Sequence, residues 1–516
     1  MSAIITDQIR ILNAKNFVAG VSSSSNSYYS WIGLPNPTDL QTDWDNNPPA
    51  PKDSFNDENE YWDNMLALKK ITAADVRQVV TRREWTSGTV YDMYRSDYSR
   101  TNTAKVSGAT NLYQASYYVI NADYRVYICL QNGTTPETPN GKSSLDEPTF
   151  IDLEPRAAGT SGDGYIWKYL FTIKPSDIVK FESTNFIPVP NNWETSPDTA
   201  AVRNNAVNGS VKIVTITNRG VGIGTANRTY TRVPIRGNGS GAEATVVINN
   251  DQTVDSVTVS SQGSGYTYGS LDLDAGGVPS GTTIPTFDVI ITPEGGHGKD
   301  IYRELGAYNV LIYSRLENDN ENPDFVTGNE FARIGIVENP KSTPTSLLVA
   351  DKASALGALK ITGVGYSSAV FTLDGEVTQT VAAGSTAVGR VVSYDQTTGV
   401  LKYWQDRTLA GFNTVGTAQT DPTYGYELVD FTSNPTSPGT LNINHASVAN
   451  LSIESSFSGI STVINNRTYY LGQAFTNGIS SPEVEKYTGN IIYVDNRPSI
   501  TRSSNQKEDI KVILQF

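Results

Sequence analysis

Beyond about residue 80, apolar residues almost stop recurring at helical spacing. They recur instead at alternate positions, in short runs bounded by Gly, Asn, Ser and Thr. A chain patterned in this way buries one face of each strand and reverses direction often. The 43 glycines and 25 prolines supply the turns, and Tyr outnumbers Phe by 28 to 15. Apolar residues make up 38% and charged residues 18%, both below the roughly 45–50% and 25% of average soluble domains. This is the signature of a mainly β protein with polar surfaces, not of a helical bundle or a disordered chain. At 516 residues the length alone suggests about three domains.

Two strands stand out. In Gly164–Phe171 the residues Tyr165, Trp167, Tyr169 and Phe171 fall on one face, after an Asp163-Gly164 turn. At the C-terminal end Ile510, Val512, Leu514 and Phe516 alternate with Lys511, Ile513 and Gln515, so this end is expected to be tied into a sheet. Ile491–Val494 reads as a strand and Asp495-Asn496-Arg497-Pro498 as a turn. Nearer the start, the first 20 residues alternate weakly through Ile9, Ile11 and Phe17, and Tyr28–Leu34 reads as a strand. Proline-rich Pro35–Phe55 reads as an extended, ordered loop or a solvent-facing arm. The helix signals lie between residues 57 and 80. Asp57 can cap, with Glu60 three residues on and Tyr61, Met65 and Leu68 on one face. Thr72-Ala73-Ala74-Asp75 is a capping-box pattern expected to open a short helix ending near Val80.

The middle holds a repeat with a period of about 43 residues. Val211–Gly224 resembles Val254–Thr267, and each unit continues into two further strands, Val233–Arg236 and Ala244–Ile248 in the first, Leu271–Asp274 and Phe287–Ile291 in the second. A small duplicated β domain is expected over 206–294. A second block, 341–462, carries Ala369–Gln379, Gly389–Asp395 and Gly399–Gln405, three strands suited to a small barrel or sandwich. Asn434–Gly439 and Ser452–Ser461 read as polar loops.

Several chemistries are excluded by count. With one cysteine, Cys129, there is no intrachain disulfide and no cysteine zinc site, and with two histidines, His297 and His445, a multi-histidine metal centre is nearly ruled out. A net charge of −14 argues against nucleic-acid binding, which needs a basic surface. No apolar run approaches the roughly 20 residues of a membrane span, and Met1–Val21 does not read as a secretory signal. No nucleic-acid partner, membrane or cofactor is expected.

The remaining motifs read as structure. Gly220–Gly224 and Gly237–Gly241 lack the dinucleotide spacing, and no helix comes after them. Gly295-Gly296-His297-Gly298-Lys299 resembles the end of a phosphate loop, but Pro293 replaces the first glycine and Asp300 the Ser or Thr, so tight turns with positive φ are expected. Neither histidine lies near a nucleophile elbow, and both are expected in surface loops. Cys129, within Val126–Leu130, reads as a buried small hydrophobe. Asp272-Leu273-Asp274 reads as a turn, since an EF-hand would need an acid where Thr283 stands. A carboxylate pair drawn from Asp57, Glu58, Glu60, Asp146, Glu147 and Asp163 keeps a carbohydrate-cleaving or carbohydrate-binding β protein as the alternative function.

Four blocks in order carry a resemblance. Arg82-Arg83-Glu84-Trp85, Asp163–Phe171, Gly328–Ile336 running on to Asn339-Pro340, and Ile491–Ile500 with Asp509–Phe516 are similar to the baseplate wedge subunit, gene product eight, of T-even-type contractile-tailed bacteriophages. The resemblance covers about 10–205, 295–340 and 463–516. It leaves 206–294 and 341–462 as β modules inserted into loops of the scaffold. It marks Arg82, Arg83, Trp85, Asp163, Gly164, Tyr165, Trp167, Asn496, Arg497 and Pro498 as structural motif positions. It implies a nonenzymatic β-sandwich scaffold with a few short helices near its N-terminus. It further implies a homodimer within each wedge of the virion tail baseplate, joined to other wedge proteins and helping to transmit the sheath-contraction trigger. Among the aromatics, Trp62, Trp85, Tyr165 and Trp167 are candidate interface anchors, with core packing the expected role.

Overall fold

A computed structural model describes residues 6–37, 43–317, 325–326, 330–405, 429–445, 448–501 and 507–516. The fold is mainly β, built from several antiparallel sheets. The chain divides into two discontinuous compact units: 1–18 with 77–312 and 512–516, and 19–76 with 313–511.

In the first unit, the opening residues form a helix, Asp7–Val21, and not the weakly alternating segment read from the sequence. Ile11, Ala14, Val18 and Val21 are the buried positions, spaced three, four and three apart, while Ile9 is exposed. Choosing Ile9, Ile11 and Phe17 mixes the two faces of that helix. The scaffold of this unit is a three-stranded antiparallel sheet of Tyr118–Ile120, Arg125–Asn132 and Tyr165–Thr172. Its largest core gathers Ile11, Tyr117, Ile128, Leu170, Trp193 and Ile301. The C-terminal end is tied in as expected: Phe516 donates its backbone N–H to Tyr308 at 3.2 Å, and its ring lies 5.5 Å from that of Phe17.

The duplicated segment forms its own sheets. Val211–Asn218 pairs with Thr286–Ile291, Ser240–Ile248 with Val254–Ser264, and Thr229–Gly237 with Gly269–Leu271. The first strand of each repeat thus pairs with the third of the other, and the second with the second, as a two-fold axis between two repeats requires. Positive φ falls at equivalent glycines, Gly220 and Gly222 in the first repeat and Gly263 and Gly265 in the second.

In the second unit, a five-stranded antiparallel sheet runs Lys352–Ser354, Met65–Ile71, Tyr28–Gly33, Glu330–Glu338, Asn490–Thr501. The helix before it is Phe55–Asp63, capped by Ser54 and not Asp57. Met65 and Leu68, expected to continue the helical face, instead lie on a strand, whose consecutive residues Met65, Leu66, Ala67 and Leu68 are all buried, as on a strand covered on both faces. The Thr72–Asp75 capping box is present but holds only a single turn, Ala73–Asp75, before the strand Val76–Thr81 begins. The β-rich run Val76–Val80 outweighs the local cap. Asp495–Pro498 is likewise no turn, since Asn490–Thr501 continues through it, with a register shift opposite Phe331–Arg333 absorbing the irregularity.

The block after 341 closes a six-stranded barrel. Around the ring stand Val400–Trp404, Ser385–Asp395, Glu376–Ala382, Asn442–His445, Val448–Ile453 and Gly357–Thr362, and the last pairs back to the first. Leu359, Val377, Val391, Leu401 and Ile453 fill it. Ala369–Leu373 is not part of a strand, and Ser452–Ser461, expected as a loop, instead holds the end of one strand and the start of another, Gly459–Ile464. Frequent Ser and Thr there are compatible with half-buried strands, so polarity alone does not mark a loop.

Candidate interface and scaffold residues

The motif positions of the first unit converge on one aromatic cluster. Register shifts opposite Val126/Tyr127 and Cys129/Gln131 make Tyr165–Thr172 irregular, so the strand buries side chains on both faces. Tyr165 and Trp167 stack 5.4 Å apart, and Tyr91 meets Trp167 edge-on at 5.7 Å. Trp85 packs on the rim of this cluster and donates its indole N–H to Ser144 Oγ at 3.0 Å. The Tyr165 hydroxyl donates to the Lys142 carbonyl at 2.8 Å and accepts the Tyr91 N–H at 2.9 Å. Leu170 and Phe171 join the main core, and Phe171 faces Trp193. Lys168, on the even face, is also buried and donates to the Leu153 carbonyl at 2.7 Å, with burial pulling its pKa down.

Asp163 and Gly164 shape the entry to this strand. The Asp163 carboxylate accepts the N–H of Leu145 at 2.9 Å and of Tyr165 at 3.0 Å. Gly164 adopts φ +82°, and a Cβ there would stand 2.8 Å from Gly133 Cα, so two backbones cross where no side chain fits. Arg82 bridges Glu84 at 2.6 Å and also pairs with Glu182, while the Arg83 guanidinium lies 4.7 Å over the Tyr118 ring. Thus Arg82, Arg83, Trp85, Asp163, Gly164, Tyr165 and Trp167 share one unit. Asn496, Arg497 and Pro498 lie in the other.

There they fasten the proline-rich loop. Asn496 donates to the Pro49 carbonyl at 2.9 Å, Trp44 donates its indole N–H to the Arg497 carbonyl at 2.8 Å, and the Ser499 N–H reaches Asp45 at 3.0 Å. The described part of the loop therefore lies along its own edge strand, which fits the ordered-loop alternative and not the solvent-facing arm for these residues. Covering an edge in this way satisfies backbone groups that would otherwise invite foreign strands.

Arg333 escaped the sequence reading. Its side chain is fully buried between Trp44, 5.0 Å from the ring centroid, and Tyr61, at 5.3 Å, and it pairs with Glu60 and Asn36. An arginine set among Phe331, Ala332, Ile334 and Ile336 in a strand is the signal that marks it. His297 is a second correction. It is buried, not on a surface loop: Nδ1 lies 2.5 Å from Glu304, and Glu304 also accepts the Gly298 N–H at 2.7 Å. Those contacts place Glu304 where a phosphate would need a free amide. Gly295, Gly296 and Gly298 have positive φ, as the tight-turn reading requires. His445 ends the strand Asn442–His445, and its side chain lies outside the described residues. Cys129 is fully buried and its thiol is pushed well up by that burial.

The acids considered for glycoside cleavage are mostly engaged in local structure. Asp57 meets the Ser54 cap, Glu60 pairs with Arg333, Asp146 accepts the Ser161 N–H at 2.9 Å, and Glu147 accepts the Ala122 N–H at 3.3 Å. Asp272 accepts the Ala275 N–H at 3.0 Å, a turn contact. Trp62, Tyr165 and Trp167 are buried, so within this chain they are core residues, and only Trp85 is half-buried.

Irregular antiparallel strands, packed tyrosines and buried ion pairs make this a mainly β chain. Residues 3–147 match the family described as bacteriophage T4 Gp8. The baseplate wedge protein gp8 of Enterobacteria phage T4 is 26% identical over 219 residues, covering 36% of this chain and 60% of that protein. Over part of its length the chain is thus similar to that wedge protein and to the Gp8 family. It spans about 60% of the length of the relative it matches.

Proposed function

We propose that the chain is a structural subunit of the baseplate wedge of a contractile phage tail. It sits in the virion tail baseplate, is a homodimer within each wedge, and joins the other wedge proteins of the same phage. Its work is mechanical: it holds neighbours at fixed distances and passes on the sheath-contraction trigger. The observation that carries this reading is the match of residues 3–147 to the Gp8 family, a segment that contains the Arg82–Trp85 motif and most of the aromatic cluster's neighbours. Burial of Asp163, and of Tyr165 and Trp167 in one packed cluster, supports a rigid scaffold role, since packed cores transmit displacement without absorbing it. We read 206–294 and 341–462 as modules inserted between scaffold segments 1–205, 295–340 and 463–516. The self-contained pairing of the repeat strands supports the first module, and the closed ring of six strands within Gly357–Ile453 supports a compact barrel inside the second.

Co-expression with the remaining wedge proteins of the phage tests this function. The chain should copurify with them in a wedge complex, and cryo-electron microscopy of tails should find it in the baseplate. Tails that lack the chain, or a chain that binds none of the wedge proteins, would overturn the reading.

A further inference from the structure

Beyond the barrel, Gly459–Ile464 and Arg467–Phe475 form a two-stranded hairpin. Its base is anchored: Leu471 and Phe475 are buried against Ala358 and Val400. Arg467–Phe475 is the inner strand, packed beside Gly357–Thr362 and Ile479–Ser480. Gly459–Ile464 is the outer strand, and among the described residues it pairs with Arg467–Phe475 alone. Among the described residues nothing pairs with its far edge. Ile460, near the base, is 54% exposed, and toward the tip Val463 is 66% and Tyr470 47% exposed. Ser461 stands opposite Tyr470 and Val463 opposite Thr468, so Val463 and Tyr470 share one face.

An open edge is a template for another strand, and monomeric proteins protect such edges with Lys, Pro or inward charge. Gly459-Ile-Ser-Thr-Val-Ile464 carries none of these, and four of its six residues are β-branched. A free two-stranded ribbon is also marginal in water, so this one gains by adding strands. The other long edge of this unit, Asn490–Thr501, is by contrast covered by the proline-rich loop through Trp44, Asp45 and Pro49.

We propose that Gly459–Ile464 pairs antiparallel with the same strand of a second copy of this chain, making a four-stranded sheet across a two-fold axis. The proposal rests on the reading of the chain as a dimeric wedge subunit and places the dimer contact. Charge selects a second copy as occupant. From Ser455 to Pro482 there is no acid and only one base, Arg467, in a chain of net charge −14. Two such chains repel over most of their surfaces, and this hairpin is where they meet without opposing charges. A basic partner strand would find no acid here to pair with. An antiparallel strand pair about a two-fold axis is self-complementary, so one segment supplies both halves of the contact.

The test uses the full chain. Sedimentation should show a dimer for the wild type, and Val463→Lys, which puts an ammonium group on each of the two paired edge strands, should weaken it at least about tenfold. Val364→Lys, at a site 96% exposed elsewhere in the barrel unit, should leave association unchanged. Single cysteines at 460, 461, 462 and 463 should give disulfide-linked dimers on mild oxidation, strongest at the position nearest the axis, with buried Cys129 giving no background. A wild-type dimer that Val463→Lys leaves intact and that no cysteine cross-links would overturn the placement while leaving the dimer standing. Equal weakening by Val364→Lys would also overturn it. A wild-type monomer would remove both the placement and the dimer in the wedge reading.

Discussion

Ile223 and Tyr266, 43 residues apart, make the same bond in opposite halves of the duplicated module. Ile223 donates its backbone N–H to Gln252 at 2.7 Å, and Tyr266 donates its own to Gly209, 43 residues before Gln252, at 3.0 Å. The relation recurs at Asn249, donating to Thr253, and Thr292, donating to Ser210, both at 3.1 Å. The repeat is therefore a two-fold arrangement of hydrogen bonds as well as of strands.

Neighbouring positive-φ glycines in that module are not equally sensitive. Gly263 and Gly265 both hold positive φ, but a Cβ on Gly263 would lie 2.5 Å from the Ala242 N, while one on Gly265 would meet only Gly239 Cα, at 3.9 Å. Gly265→Ala should cost about 1 kcal/mol, from the left-handed backbone alone. Gly263→Ala adds a backbone clash and should cost roughly 3 kcal/mol or more. Denaturant melts of the two variants check the order, and equal losses would contradict it.

Arg333 should show the asymmetry of a buried ion pair. Glu60→Gln leaves the guanidinium buried beside Trp44 and Tyr61 without its anion, at a cost of about 3 kcal/mol. Arg333→Met removes the charge and keeps most of the volume, leaving Glu60, whose side chain is 42% exposed, to water. It should cost about 1–2 kcal/mol. Thermal melts that rank the two the other way would show that the ring contacts outweigh the charge.

His297 and Glu304 make a third case. Glu304→Ala strands the imidazole against Tyr94, whose ring lies 4.9 Å away, and frees the Gly298 N–H. The expected loss is about 3 kcal/mol, against well under 1 kcal/mol for a surface histidine contact. Hydrogen exchange at Gly298 should accelerate in this variant and stay protected in the wild type.

What the sequence disclosed, and what it hid, depends on the range of the signals. The 43-residue repeat and the C-terminal alternation are local periodicities, and both appear in the structure at the residues that carry them. Tyr165–Phe171 is legible as a strand, but its register shifts are set by Val126 and Cys129 on the neighbouring strand, so burial of both Lys168 and Leu170 is not. The capping box at Thr72 is real, yet tertiary pairing of Val79 with Pro188 draws the residues after it into a strand. His297 looks solvent-exposed because glycines flank it, and the carboxylate that meets it in the interior arrives seven residues later, on Ile301–Leu305. Asn496 and Arg497 are legible as a motif, but their partners Pro49 and Trp44 are more than 400 residues away.

The group Tyr313, Arg315 and Asp509 should set a pH window. Arg315 grips Asp509 through Nε at 2.6 Å and Nη2 at 2.8 Å, and Tyr313 donates to the same carboxylate at 2.9 Å. The Arg315 hydrogen bond holds the Asp509 pKa below its ordinary value, so its contribution is full above an unfolded value of about 3.9 and is lost as pH falls through the lower folded one. Burial, then the Asp509 bond, pushes Tyr313 up to about 12. A tyrosine raised in this way stabilises fully below its unfolded value, about 10, and loses that contribution as pH rises toward the folded one. The Asp509 side chain is 44% accessible, so the acid arm amounts to about 0.5 kcal/mol, while Tyr313 is buried and should give the larger, alkaline arm. Asp509→Asn should flatten the acid arm and Tyr313→Phe the alkaline arm of a stability profile taken by urea titration from about pH 2 to 12. A profile in which Asp509→Asn moves only the alkaline limb would place the carboxylate outside this group.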